Sequence, residues 1–350
     1  MLLRCKLPGL SFVLVIFLGL MLSACEKATE SDSTKDVSAK TAVPIAKPFK
    51  LVRQFPPPTV SMKLVQVSPN IYYVKGKAGI ATDNEGFVSN AGFVVTSEGV
   101  VVFDALGTPA LAESFLEKIR SVTNKPIKKL IVSHYHADHI YGIQIFKQLG
   151  AEVIAPKGSY DYLDAPIATE RLDERRFSLS PWVNDKTRLV SPDKIIDKET
   201  RFSLGGIEFV MSVLGKAHSD GDMTMYIPSE KVLFSGDIIF EGRVPYLGDS
   251  DTKQWLQTLN TMQTGKLIAL IPGHGPAAKD PNKAIAATRH YLAYMREKMG
   301  KAVEDFVDFD DVYSATDWSD FSKLPAFEAA NRKNAYQVYL SMESEALAAN

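Results

Sequence analysis

Cysteine is almost missing from this sequence: only Cys5 and Cys25 occur, both before residue 26. Everything downstream therefore has no disulfide, no thiolate metal ligand and no cysteine nucleophile. An excess of charge is missing too, since 40 Lys and Arg face 41 Asp and Glu, a formal net charge of −1. That balance removes the basic footprint a nucleic-acid-binding chain would carry, so no nucleic-acid partner is expected. No internal repeat of short period is evident. Histidine is scarce at six in 350 residues, and five of the six fall in motif-like positions. What remains is ordinary globular material, 45% hydrophobic, enough for one large domain or a domain plus an extension.

The chain opens with Arg4 and Lys6, runs without charge from Leu7 to Ala24, and reaches small residues at Ser23-Ala24-Cys25. A charged start, a short apolar core and small residues at the cut describe a secretory signal over 1–25. The cysteine after them resembles the box of a bacterial lipoprotein, in which Cys25 becomes the lipid-modified first residue. The other reading is an uncleaved anchor helix, the stretch being just long enough to span a bilayer. Either places the body in the cell envelope, outside the cytoplasmic membrane and facing the periplasm, with the membrane as partner through Cys25. Residues 26–60, rich in Glu, Lys, Ser, Thr, Asp, Ala and Pro, lack apolar periodicity and read as a disordered tether.

The densest stretch is Ser133-His134-Tyr135-His136-Ala137-Asp138-His139, directly after the apolar run Leu130-Ile131-Val132. Side chains two apart on an extended chain point the same way, so His134 and His136 grip one object together. Asp138 and His139 follow where the strand breaks into a turn. Imidazole and carboxylate are ligands of a zinc-type ion. The plain alternative is an exposed polar turn.

Four further apolar runs end in the same residue types. Gly92–Asp104 reads as a hairpin ending at Asp104, which either caps the helix expected over Pro109–Val122 or orients a metal ligand from behind. A hairpin around Gly205-Gly206 delivers His218. Strands over Val232–Phe234 and Leu267–Ile271 lead into Asp237 and His274. Scaffolds converge ligands on one edge by placing them in the loops after such strands. Between Pro156 and Pro192 the pattern loosens into an aromatic and charged insertion, either a lid or a surface helix. Asp280-Pro281 starts a helix expected to end at Gly300. His290 lies within it as a surface or packing residue.

Taken in order, His134, His136, Asp138, His139, His218, Asp237 and His274 resemble the pattern of the metallo-β-lactamase superfamily, over roughly residues 62–290. The resemblance implies an α/β fold, a four-layer αβ/βα sandwich with the site along one edge of two sheets, here followed by a C-terminal helical extension. It implies two Zn²⁺: His134, His136 and His218 hold one, Asp138, His139 and His274 the other, and Asp237 bridges. Asp104 matches the superfamily's Asp after the preceding strand. A metal-bridging hydroxide would attack an ester, thioester, lactone or β-lactam-like bond, with Asp138 also relaying a proton. The centre would keep about one net positive charge, which favours a small anionic substrate. Lys216 or Arg243 would contact its carboxylate, or lie in solvent. Asp at 237 resembles glyoxalase II, lactonases, sulfur dioxygenases and the zinc metallohydrolases of sulfur-oxidation and quinoprotein systems, and the run Phe240–Asp249, with Trp255, resembles that last group.

Two other readings compete. One is a mononuclear iron persulfide dioxygenase on the same fold, because His and Asp suit iron too. The other is a non-catalytic binding lipoprotein. The metal domain is bounded at 61–290 and the extension at 291–350, which packs on the domain, mediates dimer contacts or lines the substrate groove. Oligomeric state is not legible.

Overall fold

The computed structural model describes residues 52–262, 265 and 267–349. The leader, Cys25 and the tether up to residue 51 lie outside them. Strands β1 (Leu64–Ser68), β2 (Ile71–Val74), β3 (Ala91–Val95) and β4 (Val100–Phe103) form an antiparallel meander. Helix α1 (Pro109–Val122) then crosses to β5 (Ile127–Ile131). Two short helices, α2 (Ala137–Ile140) and α3 (Ile143–Gln148), lead to β6 (Glu152–Pro156). Helices α4 (Gly158–Asp164) and α5 (Pro166–Ser178) precede β7 (Lys194–Ile196). These seven strands form one sheet in sequence order, its last four parallel.

The second sheet has five strands: β8 (Thr200–Leu204), β9 (Ile207–Gly215), β10 (Asp222–Ile227), β11 (Val232–Phe240) and β12 (Ala269–His274). Helix α6 (Thr252–Thr261) connects the last two, and α7 (Pro281–Glu304), α8 (Phe309–Ala315) and α9 (Phe327–Ala349) complete the chain. Three apolar cores separate the layers. The first lies under α1 and α3, around Phe115, Phe146 and Val153. The second lies between the sheets, around Phe103, Phe234 and Ile154. The third lies under α6, α7 and α9, around Trp255, Leu292 and Val338. Helices therefore cover both outer faces of a two-sheet sandwich.

Several expectations need correction. Asp104 does not cap α1, because Thr108 does, accepting from the Leu111 amide at 3.1 Å. Asp237 and His274 lie inside β11 and β12 rather than in loops after them. The cause is a bulge: Gly236 sits at φ +52°, and the β11–β12 register shifts on both sides of it. The strand thus continues past the bend and carries Asp237 inward. Helix α7 passes through residue 290 and through Gly300, where a Cβ would lie 2.8 Å from Met342 of α9. That glycine serves close helix packing, not termination. The end of the expected tether is docked, with Phe55 buried and Arg53 2.7 Å from Glu117. One large ring entering the α1 core gives these residues the apolar anchor that composition concealed.

Candidate metal centre

The sandwich brings all seven motif residues to one point. Ligand atoms of His134, His136 and His218 lie within 4.8 Å of one another, as do those of Asp138, His139 and His274. Asp237 stands between the two groups. Its Oδ2 is 3.3 Å from His218 Nε2 and 3.1 Å from His274 Nε2, and its Oδ1 is 3.2 Å from His139 Nε2. His136 Nδ1 faces His218 Nε2 at 3.0 Å. One residue at a strand bulge therefore touches ligands from both groups.

Asp104 and Ser133 set the rings. The Asp104 carboxylate accepts from the Ser133 amide at 2.7 Å, from Ser133 Oγ at 2.9 Å and from His139 Nδ1 at 2.9 Å. Since Ser133 spends its one hydroxyl proton on Asp104, it must accept from His134 Nδ1, 2.9 Å away. His274 Nδ1 donates to the Val88 carbonyl at 2.7 Å. Each of these rings thus aims Nε2 inward. Of Asp104's two expected roles, the structure supports orientation from behind the ligands. Ser133 and Asn90 carried no such signal in the sequence. Asn90 Nδ2 donates to the Pro272 and Gly275 carbonyls at 2.7 and 2.8 Å, pinning β12 beside His274.

The fit to a metal can be judged from the atoms that lack partners. His134 Nε2, His139 Nε2 and Asp237 Oδ1 are buried and make no hydrogen bond, although all three face the point of convergence. Unmet buried polar atoms are costly, and three around one point call for a cation. The electrostatics agree. Burial, with the neighbouring imidazoles His139 and His136, holds His134 well below the ordinary imidazole range, and burial brings His218 down to about 3. Both are neutral rings offering lone pairs. His139 goes the other way: burial opposes its charge, but Asp237, Asp138 and Asp104 outweigh it and lift the ring well above its usual value. A proton or a metal ion answers the same field.

His134, His139 and His218 are sealed, whereas His136 and Asp138 are only half-buried and open into a cavity of about 560 Å³. The insertion expected as a lid or a surface helix forms α4 and α5, and Tyr162, Arg171 and Arg175 from it line this cavity. Arg243 lines it as well. Lys216 does not, and pairs instead with Asp220 at 3.2 Å. His290 lies apart, 3.3 Å from Asp320 on the surface. The extension reaches the cavity through Ala326, Ala329, Ala330 and Lys333.

A family model described as the metallo-beta-lactamase superfamily matches residues 84–274, just over half of the chain. The metallo-beta-lactamase type 2 of Elizabethkingia meningoseptica is 26% identical over 61% of this chain and 78% of its own. The metallo-beta-lactamase IND-1 of Chryseobacterium indologenes is 23% identical over 61% of this chain and 80% of its own. Among solved structures, a metallo-beta-lactamase from Pontibacter korlensis superposes with a TM-score of 0.54 at 22% identity, over 67% of this chain and 99% of its own. The sec-alkylsulfatase Pisa1 from Pseudomonas sp. gives 0.62 at 20% identity, over 79% of this chain and half of its own. At these identities the structural likenesses speak for the fold.

Proposed function

Because the chain belongs to the metallo-β-lactamase superfamily, we propose that it is a dinuclear zinc hydrolase of a small anionic ester, thioester, lactone or β-lactam-like compound. The observation that carries this reading is the set of buried, unpartnered donor atoms converging from two ligand groups, with Asp237 between them. His134, His136 and His218 would hold one ion, and Asp138, His139 and His274 the other. When bound, such ions make hydroxide available near neutral pH and polarise the bond under attack.

The remaining work falls to the chain itself. Asp138 is the carboxylate of the centre most open to the cavity, 3.2 Å from His274 Nε2. His139 and His274 beside it hold its carboxyl well below the ordinary carboxylate range despite its burial, so it stands ionised at the cavity, where a carboxylate would take up a proton and pass it to a leaving group. Asp104, Ser133 and Val88 fix the rings so that no reorientation accompanies the reaction. The sub-branch suggested by Phe240–Asp249 belongs to the same proposal. Tyr246 supports it by lining the cavity, and the buried Trp255 by packing edge-on to His218 at 5.3 Å.

The decisive experiment is elemental analysis of the purified protein alongside turnover of an ester and lactam panel. Two zinc ions per chain and hydrolysis are expected. Asp237→Ala should cut turnover by a factor on the order of a thousand, because its carboxylate serves both ligand groups. One iron per chain, with oxygen uptake on a persulfide, would overturn the hydrolase reading. We place the protein in the envelope on a lipid at Cys25, a reading supported by the charged, apolar and small-residue order of residues 1–25. Cys25→Ser should release the body from the membrane fraction, and retention there would argue for the anchor-helix reading.

A further inference from the structure

Helix α9 lies outside the matched family domain, yet its buried face carries two amides where apolar residues would serve packing better. Asn331 and Asn334 are 0% and 1% exposed. Asn334 accepts from the Leu247 amide at 2.9 Å and donates to the Pro245 carbonyl at 2.7 Å. Its amide also donates to Tyr291 Oη at 2.9 Å, and that hydroxyl donates to Asn331 Oδ1 at 2.8 Å. The Pro325 carbonyl, just before α9, takes the Val244 amide at 3.0 Å. Each of these bonds either grips residues 244–247 directly or ties Asn334, which grips them, through Tyr291 to Asn331. A fully satisfied buried polar network fixes one conformation, and the conformation fixed here is that of the loop bearing Arg243.

Arg243 is the cation of the cavity that stands closest to the centre, its Nη1 3.4 Å from His274 Nδ1. That ring nitrogen already gives its proton to Val88, so it repays the guanidinium nothing. Its Nε makes only a long bond, 3.4 Å to the Val244 carbonyl, and the guanidinium lies over the Phe240 ring at 6.0 Å. Among the described residues no carboxylate forms an ion pair with Arg243. The other wall arginines differ, because Arg171 and Arg175 share Glu174 at 3.3 and 3.5 Å. Asp237 and Asp138 of the centre reach it only through their field, and a half-buried guanidinium paired with neither, facing a cavity, wants an external oxyanion, which its planar fork takes with two parallel bonds. Lys333 on α9 lines the same cavity and is likewise in no ion pair among the described residues. The same lining carries apolar side chains at Ile80, Ile167 and Leu179.

We propose that α9 is the specificity element of the site, with Asn334 positioning the 243–247 loop so that Arg243, seconded by Lys333, receives an oxyanion group of an otherwise apolar substrate. The proposal rests on the hydrolase reading for which bond is cut, but not for what binds. The test therefore has two readouts on the metal-loaded full-length protein. Calorimetry compares glutarate with the uncharged glutaramide, and turnover compares 4-nitrophenyl hydrogen glutarate with 4-nitrophenyl pentanoate.

Arg243→Ala should weaken glutarate about tenfold or more, the worth of a charge-assisted pair, and Arg243→Lys should recover part of it. The preference for the charged over the neutral ester should fall by the same factor. Asn334→Ala should raise KM for the charged ester several-fold with kcat little changed. Lys333→Gln, an exposed change that leaves the core intact, should do the same more weakly and keeps the test alive if Asn334→Ala fails to fold. Glutarate affinity unchanged in Arg243→Ala overturns the proposal, as do losses equal for charged and neutral esters. Glutarate binding that depends on Arg243, without turnover of either ester, would leave the anion site standing and remove the hydrolase reading. Turnover of both esters without charge preference, and no glutarate binding, would do the reverse.

Discussion

The metal centre and the cavity wall above it are built by opposite means. Each inward-aimed ring of the centre is held by a group fixed to the backbone within hydrogen-bond reach: Ser133, Asp104 or the Val88 carbonyl. The wall has no such local logic. It is assembled from segments around residues 79–86, 158–179, 219–221, 243–249 and 326–333, drawn from both sheets' connections and the extension. The centre is consequently held from close by, while the wall depends on distant segments meeting and would carry the choice of substrate. Substitutions that separate chemistry from affinity sharpen this contrast, and substitutions that mix the two break it.

Beyond the ligands themselves, the largest effect should come from a residue that makes no side-chain contact at all. Gly273 lies under Asp237, and a Cβ there would stand 1.8 Å from Asp237 Oδ1 and 2.8 Å from the Gly236 carbonyl carbon. Backbone on one side and a ligand on the other leave nothing to yield. Gly273→Ala should cost on the order of 1–3 kcal/mol of stability and, by displacing Asp237, about a hundredfold in kcat. Denaturant melts and steady-state kinetics measure the two losses. A fall in stability with kcat intact would mean the centre tolerates movement, against the close hold argued for it.

Next comes the group behind the rings. Asp104→Asn keeps the shape but removes an acceptor from a carboxylate that takes three hydrogen bonds. Metal affinity should fall by about 10- to 100-fold, read by competition against a chromophoric chelator, while the KM of the loaded enzyme stays near its original value. A changed KM with unchanged metal affinity would place Asp104 in the wall's business instead.

The two regions also differ in how far the sequence discloses them. The ligands are short-range features: three histidines and a carboxylate sit within His134–His139, and the others follow apolar runs whose ends are visible. Even there the strand ends at Asp237 and His274 were illegible, because the bulge at Gly236 is a backbone event and leaves the residue pattern unaltered. Asp104 was ambiguous for a related reason, since capping a helix and orienting a histidine both ask for an acid after a strand. The wall depends on which distant segments meet, and no periodicity records that. The buried amides of α9 even blur its amphipathic pattern, since Asn331 and Asn334 stand where packing alone would place apolar side chains. Phe55 was hidden among prolines, and its burial shows that one aromatic can dock a stretch whose composition reads as tether.

That docked stretch supplies the smallest effect, and the most discriminating one. Residues 57–60 touch two segments that flank the wall: the Pro57 carbonyl accepts from Trp182 Nε1 at 3.4 Å, and the Thr59 amide donates to Glu85 Oε2 at 2.7 Å. Glu85 closes the turn over Ala81–Asn84 at φ +53°, and Ile80, Ala81 and Thr82 of that turn line the cavity. The Thr59 hydroxyl adds a second bond to the same carboxylate. Thr59→Val removes that bond alone and keeps both the amide contact and the Phe55 anchor. One such hydrogen bond is worth about 1 kcal/mol, so KM should rise about two- to fivefold while kcat stays within twofold. Phe55→Ala serves as the contrasting variant, because emptying a buried aromatic site costs about 3–5 kcal/mol of stability without touching Glu85. If Thr59→Val lowered kcat and left KM alone, the strap would be acting on the metal centre, and the division of labour between centre and wall would fail at this point.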